Sequence, residues 1–156
     1  MSTTHFLELK VPPPVVALLL AVMMWLTPGL TGIVEAPFAV RVALAVALVV
    51  VGQLISVSGI VEFRRARTTI NPIKASTASS LVSSGIYRFT RNPMYVGLFL
   101  TLLGWAVYLS NPLSLVFCLV YVLYITRFQI KPEERILLRL FGEPYAAYMQ
   151  RVRRWV

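Results

Sequence analysis

Two short polar segments carry the side chains that could do chemistry in this sequence, and each adjoins an apolar run. The first is "RNPMYVG", which contains Arg91, Asn92 and Tyr95. The second is "KPEER", which contains Glu133 and Glu134. Guanidinium groups bind anionic ligands, and carboxylates bind cationic ones. No constellation of cysteine, serine and histidine accompanies them, so the sequence favours binding of a charged ligand over nucleophilic catalysis by the protein.

Asn92 and Pro93 together form a helix-start signal. Asparagine can cap the free amides of a first helical turn, and proline at the first helical position gives up no hydrogen bond that it needed. The sequence therefore predicts a helix that begins near residue 93 with Asn92 as its cap. The positive end of that helix would face the membrane interface, where an anionic group could dock. If the preceding turn is also helical, Arg88 and Asn92 share a face.

The composition indicates that a bilayer is the solvent for this chain. Of the 156 residues, 58% are hydrophobic and 13% are charged, and the mean hydropathy is +0.75. The formal net charge of +9 could suggest nucleic acid, but the basic residues lie between apolar spans and membrane orientation explains them, so we predict no nucleic-acid partner. The single cysteine, Cys118, excludes an internal disulfide and a cysteine-rich metal site, and we predict no bound metal.

Four apolar runs predict an all-α integral membrane protein that forms one domain, residues 1–156. Runs of about 20 residues are long enough to cross about 30 Å of hydrocarbon as helices. The predicted transmembrane helices are residues 15–34, 38–63, 94–109 and 113–130, with a cytoplasmic loop at 64–93 and a C-terminal cap at 131–156. The later half of the second span carries small and polar residues, which predicts a packed or cavity-facing side.

The basic residues give the predicted orientation. Of the 15 Lys and Arg residues, one precedes the first span, six lie between the second and third, and seven follow from Arg127 onward; only Arg41 lies on the other side. Cytoplasmic segments of membrane proteins carry the excess of Lys and Arg. We therefore predict a multi-pass protein of a bacterial or archaeal inner membrane with both termini in the cytoplasm.

The turn "SNP" between the third and fourth spans predicts a tight antiparallel hairpin. Two helices joined by so short a turn end on the same side of the membrane. Glu133 and Glu134 should therefore return to the arginines near residue 91. Adjacent residues on a helix point about 100° apart, so only one of the two glutamates is expected to face inward.

Short helices are predicted in the cytoplasmic segments. The loop indicates one interfacial helix near residues 78–89. The tail predicts an amphipathic helix that continues out of the fourth span, then a break at Gly142 to Pro144. A second short helix follows, whose aromatic residues and arginines suit the headgroup layer.

Three segments closely resemble the isoprenylcysteine carboxyl methyltransferase family and its relatives among membrane phospholipid methyltransferases: "TTINP" (68–72), "LVSSGIYRFTRNPMYVG" (81–97) and "EERILLRLFGEPYAAYMQRVRRW" (133–155). The cofactor signature of that family is Arg-His-Pro-x-Tyr-x-Gly, an apolar stretch and then Glu-Glu. It reads here as Arg91, Asn92, Pro93, Met94, Tyr95, Val96 and Gly97, followed by Glu133 and Glu134.

The resemblance implies a methyltransferase that uses S-adenosyl-L-methionine, releases S-adenosyl-L-homocysteine, and holds both at the cytoplasmic end of the hairpin. By position it implies that cofactor binding falls to Tyr87, Arg91, Asn92, Pro93, Tyr95, Gly97, Glu133 and Glu134, and catalysis to Arg88, Arg91 and Glu134. Gly97 would let a flat ring approach the backbone closely. Methyl transfer is catalysed chiefly by positioning and desolvation.

Asn92 departs from the family pattern, which has histidine at that position. Asparagine still donates and accepts hydrogen bonds, but it cannot act as a base near neutral pH. The expected acceptor is a lipid or lipid-linked amphiphile that arrives from the bilayer. If it is a carboxylate, Arg64, Arg65, Arg88 or Arg154 could orient it, and if it is an amine, Glu62 would have to take the proton.

Two other functional classes stay open at this stage. A non-enzymatic membrane scaffold or accessory protein could retain the same fold, and Asn92 favours that alternative. A transporter fits less well, because the spans lack paired intramembrane charges and broken half-helices in two corresponding halves. The sequence leaves the oligomeric state open.

Overall fold

A computed structural model describes residues 8–27, 34–66 and 80–156, and these ranges are dominated by helices. The α-helices are α1 (Pro13–Trp25), α2 (Phe38–Arg65), α3 (Pro93–Leu109), α4 (Leu113–Ile125), α5 (Lys131–Phe141) and α6 (Glu143–Arg151). A 3₁₀ turn covers Gly85–Arg88, and a π-helical turn, Thr126–Ile130, joins α4 to α5.

Within the described ranges, two helices have the length and composition to cross a membrane. They are α2, with 28 residues, and the continuous 29-residue helix Leu113–Phe141 that α4, the π turn and α5 form. The helix of the fourth predicted span, residues 113–130, thus continues beyond residue 130, as the sequence indicated. α3 is apolar but has only 17 residues. The count of four spans stays a prediction.

The first predicted span, residues 15–34, is wrong in its extent. α1 is a 13-residue helix that ends at Trp25. The Thr27 hydroxyl donates to the Met24 carbonyl at 2.8 Å, which closes the last turn. Thr27 also precedes Pro28, and a residue before proline avoids the helical region. Residues 28–33 lie outside the described part of the chain.

α3 and α4 form the antiparallel hairpin that the sequence predicted. Ser110 adopts a left-handed conformation with φ 53°, which ends α3. The amide of Leu113 then donates to the side-chain oxygen of Asn111 at 2.9 Å, at the start of α4. The turn therefore lies at the end of the hairpin opposite the start of α3.

Small residues allow α2 and α3 to cross in direct contact. A Cβ added at Gly97 would lie 1.9 Å from Ser56 Oγ and 2.4 Å from the Gly52 carbonyl oxygen. One added at Gly59 would lie 2.9 Å from the ring of Pro93. The predicted packed side of the second span is confirmed at these positions, because the small residues of α2 face α3.

The N-terminal segment packs against the π turn. Glu8 pairs with Arg127 at 2.8 Å and also with Arg135. The hydrogen bond from Arg127 lowers the pKa of the Glu8 carboxyl. The side-chain amide of Gln129, which is fully buried, donates to the Val11 carbonyl at 2.7 Å. These contacts tie the residues before α1 to the helix that carries the two glutamates.

α6 folds back because Gly142 breaks the helix at the predicted place. Its φ of +56° lies in the left-handed region that favours glycine. Tyr145 and Tyr148 of α6 pack with Tyr87 and Val82 from the segment before α3. That segment differs from the predicted helix at 78–89. The structure has a single 3₁₀ turn at Gly85–Arg88, and residues 78 and 79 lie outside the described ranges.

The crossing of α2 and α3 predicts that Gly97→Ala destabilises the protein by about 1–3 kcal/mol. The new methyl group would overlap Ser56 Oγ and the Gly52 carbonyl oxygen. Thermal unfolding in detergent measures this loss. Ser56→Ala in the same chain should restore part of the stability, because it removes the closer of the two contacts. Ala47→Val, on the exposed face of α2, is the matched control with little expected effect. A Gly97→Ala protein as stable as the parent would contradict the packing assignment.

Candidate functional site

Tyr95 and Glu133 join the start of α3 to the start of α5. The Tyr95 hydroxyl donates to Glu133 Oε1 at 2.5 Å, across 38 positions of sequence. Tyr95 is 6% exposed and Glu133 is partly buried. The hairpin positions this pair, because α3 and the helix that begins with α4 run antiparallel from a common turn. The predicted convergence of the two polar segments is confirmed by this contact.

Glu134 lies between two arginines. Arg154 approaches it with two parallel hydrogen bonds, from Nε and Nη2, each of 2.8 Å. Nη1 of Arg91 lies 3.0 Å from Glu134 Oε1, and the side chains of Arg91 and Glu134 are only 8% and 9% exposed. Two guanidinium groups against one carboxylate leave this buried cluster with one positive charge in excess.

The expectation that only one glutamate faces inward is wrong. The two carboxylates do point in different directions, as a helix requires. Their partners, however, come from different elements. Glu133 meets Tyr95 inside the hairpin, whereas Glu134 meets Arg91 from the residues before α3 and Arg154 from the C-terminal segment.

Asn92 holds the C-terminal segment and does not cap α3 with its side chain. Its amide donates to the Arg154 carbonyl at 2.8 Å, and that carbonyl also accepts from the Thr90 hydroxyl at 3.1 Å. The Arg91 amide donates to the Arg153 carbonyl at 3.0 Å. The described structure gives Asn92 no side-chain capping bond, which corrects the prediction. Pro93 does occupy the first helical position, as predicted.

Trp155 anchors the same C-terminal segment from its other side. Its indole N–H donates to the Thr126 hydroxyl at 3.1 Å, at the first residue of the π turn. Its ring packs edge-to-face against Phe99 and Tyr121. The backbone of Arg153 and Arg154 and the side chain of Trp155 therefore hold the C-terminal segment across the arginine–glutamate cluster. Sequence reasoning gave Arg154 only a possible role with the acceptor, because no local pattern shows that a terminal residue reaches Glu134.

A shell of tyrosines closes the cluster on the side of α6. Tyr145 is buried beside Arg91 and Glu134, and burial raises its pKa to about 12. The Tyr148 hydroxyl donates to the Tyr87 carbonyl at 2.7 Å, and burial raises the pKa of Tyr148 as well. Both phenols are therefore protonated near neutral pH, and the Tyr148 hydroxyl acts as a hydrogen-bond donor. The Tyr87 hydroxyl is buried without a hydrogen-bond partner among the described residues.

A cleft of about 500 Å³ opens beside the arginine–glutamate cluster. Its lining includes Arg91, Arg154 and Trp155, together with Thr126 and Met149. Arg91 Nε is buried and has no hydrogen-bond partner in the described part of the chain. Buried donors that lack partners are uncommon, and one that borders a cleft indicates a function. The cleft is therefore the place where a polar ligand would find partners.

The structure separates Arg88 and Gly97 from this cluster. Arg88 is exposed at the end of the 3₁₀ turn. The backbone leaves the helical form before Asn92, so the two residues do not share a helix face as proposed from their spacing. Gly97 faces Ser56 and Gly52 of α2, so its missing side chain serves helix packing, in place of the predicted close approach of a ring.

Glu62 lies near the end of α2, beside the residues that precede α3. Its carboxylate accepts from the Ser84 hydroxyl at 2.5 Å and from Arg65 at 3.1 Å. Gly85 lies against it, since a Cβ there would be 2.6 Å from the Glu62 carboxyl carbon. α2 thus presents a carboxylate near the residues that precede α3.

Comparison with known proteins shows that residues 40–144 match one protein family, described as phospholipid methyltransferase. Protein-S-isoprenylcysteine O-methyltransferase B of Arabidopsis thaliana is 30% identical over 105 residues, which cover 67% of this chain and 53% of that protein. Protein-S-isoprenylcysteine O-methyltransferase of Schizosaccharomyces pombe is 33% identical over 116 residues, covering 74% of this chain and 49% of that protein. The chain therefore spans about half the length of these curated relatives.

A solved structure shares the fold. The eukaryotic intramembrane Ras methyltransferase ICMT (isoprenylcysteine carboxyl methyltransferase) matches with a TM-score of 0.52 and 24% sequence identity. The match covers 94% of this chain and 54% of that one. The arrangement of helices described above is thus similar to that of a membrane-embedded enzyme.

The contacts of Asn92 predict how the position tolerates substitution. Asn92→Leu should cost about 1–2 kcal/mol, because the Arg154 carbonyl loses its shortest hydrogen bond. Asn92→His should retain most of the stability, since a neutral imidazole still carries one N–H donor. Thermal unfolding measures the loss, and trypsin cleavage after Arg151 and Arg153 reports release of the C-terminal segment. A leucine variant with parental stability and cleavage rate would contradict the assignment.

Proposed function

This chain belongs to the phospholipid methyltransferase family, and on that premise we propose that it transfers a methyl group from S-adenosyl-L-methionine to a lipid or lipid-linked acceptor. The observation that carries the proposal is the cluster of Arg91, Arg154 and Glu134, whose two arginines line the cleft, together with the pair that Tyr95 forms with Glu133, the residue next to Glu134. The curated relatives named as isoprenylcysteine O-methyltransferases support the type of reaction.

The residues present fit the cofactor group by group. The surplus positive charge at Arg91 and Arg154 suits a carboxylate. Glu133, which carries a single tyrosine hydrogen bond and no arginine within the described contacts, suits an ammonium group. Trp155 lines the cleft and offers an aromatic face for a flat ring or for positive charge. The cleft of about 500 Å³ is in the range of small-molecule sites.

For methyl transfer the protein has to position the cofactor and the acceptor and to exclude water from them. S-adenosyl-L-methionine supplies an electrophilic methyl group on a sulfonium, so no protein nucleophile is required. Arg91 and Glu134 hold each other in one orientation, and the tyrosine shell excludes solvent from them. Both oxygens of Glu134 already accept guanidinium hydrogen bonds or ion pairs, which fits a role in positioning better than one in accepting a proton.

We place the acceptor at the membrane-facing mouth of this end of the molecule. Arg88 and Arg64 are exposed there, and an anionic acceptor would be oriented by them. An amine acceptor would need a carboxylate to take its proton, and Glu62, held by Ser84, is the available group. In either case the proposed topology is four spans with this end, and both termini, at the cytoplasmic face, as the basic residues indicate.

In this proposal Asn92 contributes to catalysis by positioning the C-terminal segment and takes no part in proton transfer. Its side-chain amide donates to the Arg154 carbonyl, and histidine, which the family pattern described under Sequence analysis has at that position, can donate an equivalent N–H. A proton acceptor at residue 92 is therefore not required. The alternative of a non-enzymatic scaffold loses its main support when the role of this residue is structural.

Tyr95→Phe and Glu133→Gln test the site directly. Each should weaken binding of S-adenosyl-L-homocysteine by about tenfold, about 1.4 kcal/mol. Tyr95→Phe removes the hydroxyl that orients the Glu133 carboxylate, and Glu133→Gln removes the charge that would bind the ammonium group. Isothermal titration of the purified protein in detergent measures the affinity. Arg139→Gln, an exposed change on α5, is the control and should bind like the parent. Folded parental protein that does not bind the product would refute the cofactor assignment.

Methyl transfer itself is tested with radiolabelled S-adenosyl-L-methionine and a total lipid extract, followed by mass spectrometry of the product. We expect label in an organic-soluble product, and loss of that label in the Glu133→Gln protein. Cofactor binding without any labelled product from lipids or lipidated peptides would favour the scaffold alternative.

A further inference from the structure

An apolar groove of about 590 Å³ runs along α3 between α1 and α2, away from the candidate cofactor site. Its floor is a helical stripe of α3 that includes Leu98, Leu102, Trp105 and Tyr108, about 15 Å long. The residues lining the groove are apolar apart from a few side-chain oxygens and the indole N–H, and small residues such as Ala17 hold it open. In a bilayer, an apolar groove is filled by hydrocarbon chains, because the atoms that line an empty groove would lose dispersion contacts.

A charged cleft lies at the Tyr108 end of this groove. It measures about 420 Å³ and is lined by Arg41 and Glu35 together with Val34, Ala36 and Pro37. Nη1 of Arg41 donates to the Tyr108 carbonyl at 3.4 Å, so the cleft adjoins the last residue of the groove floor. Arg41 Nε is buried and has no hydrogen-bond partner in the described ranges. Between Arg41 and Glu35 the described structure shows no ion pair. The Arg41 guanidinium lies over the Phe38 ring, and its Nε keeps a donor for a ligand.

Aromatic side chains place this end at the level of lipid headgroups. The rings of Trp25 and Trp105 stack with centroids 5.7 Å apart, and Trp105 stacks on Tyr108 at 5.4 Å. The indole N–H of Trp105 donates to the Ala21 carbonyl, which fixes the stack between α1 and α3. Tryptophan and tyrosine concentrate at membrane–water interfaces. Arg41 and Glu35, which lie beside this aromatic belt, are therefore placed to contact lipid headgroups.

We infer that the groove and the cleft together hold one glycerophospholipid whose headgroup carries both a phosphate and an amine. One acyl chain lies along the stripe of α3 in the groove. Arg41 binds the phosphate, and Glu35 binds the ammonium group. The charges of the cleft match such a zwitterionic headgroup better than an anionic one, because Glu35 would repel a second negative charge.

This lipid site is separate from the proposed methyl-transfer site. Tyr108 follows Tyr95 by 13 positions on the same helix, which separates them by about 20 Å. The headgroup bound at Arg41 therefore cannot be the group methylated near Glu133. Binding of the lipid has a structural consequence. The acyl chain fills the gap between α1 and α2 and joins two helices that pack separately on α3.

The test uses the full-length protein, purified in detergent and stripped of lipid. Phosphatidylethanolamine or phosphatidylglycerol of matched acyl chains is added, and native mass spectrometry and thermal unfolding report the retained lipid. We expect one phosphatidylethanolamine per chain, with a stabilisation that phosphatidylglycerol does not match. Arg41→Gln should lower its apparent affinity tenfold or more, and Glu35→Gln should remove the preference over phosphatidylglycerol. Arg139→Gln, at the other end of the molecule, is the control.

A substitution in the groove tests the contribution of the acyl chain separately from that of the headgroup. Val46→Trp, at a rim position that is 55% exposed, should fill the groove and reduce retention of the lipid without repacking the core. Equal retention by the parental and Arg41→Gln proteins would overturn the inference. Equal or tighter binding of phosphatidylglycerol by the parental protein would overturn it as well. Neither outcome bears on cofactor binding, which is measured separately.

Discussion

A buried carboxylate is costly unless cations and hydrogen-bond donors meet it, and Glu134 satisfies this constraint with groups from three parts of the chain. The helix Leu113–Phe141 carries the carboxylate, Arg91 comes from the residues before α3, and Arg154 comes from the last residues of the chain. Removing either arginine would leave Glu134 with one cationic partner in place of two and would release one of the segments that this carboxylate joins. The position of the C-terminal segment, the entry into α3 and the register of α5 are therefore fixed together.

Two structural features bring these charged residues together: the close contact of α2 with α3 and the π turn before α5. Gly52 and Gly97 let α2 and α3 approach at the backbone, so the segment between them delivers Tyr87 and Arg91 to one end of the hairpin. The π turn at Thr126–Ile130 sets the rotation of α5, because one residue more in a helical turn displaces the following side chains by about 100°. Thr126 in that turn also binds Trp155, which anchors the segment that bears Arg154.

The molecule has two chemically different ends joined by α3. One end gathers Tyr95, Glu133 and the arginine–glutamate cluster, where a small charged ligand finds partners of both signs. The other end carries aromatic rings around Trp105 and the opposed charges of Arg41 and Glu35, which suit a lipid headgroup.

The amino-acid sequence determined the local features, because these depend on neighbours in the chain. The "SNP" turn specified the hairpin, Pro93 the start of α3, Gly142 the break before α6, and the paired motifs around Arg91 and Glu133 the family. Only the tertiary structure decided which groups meet. In that structure the Asn92 side chain donates to the Arg154 carbonyl and makes no capping bond to α3, Gly97 faces Ser56, and both glutamates are paired. Those contacts join residues that lie up to 62 positions apart, and no periodicity in the sequence records them; they follow from how the helices cross and from the need to pair each buried charge.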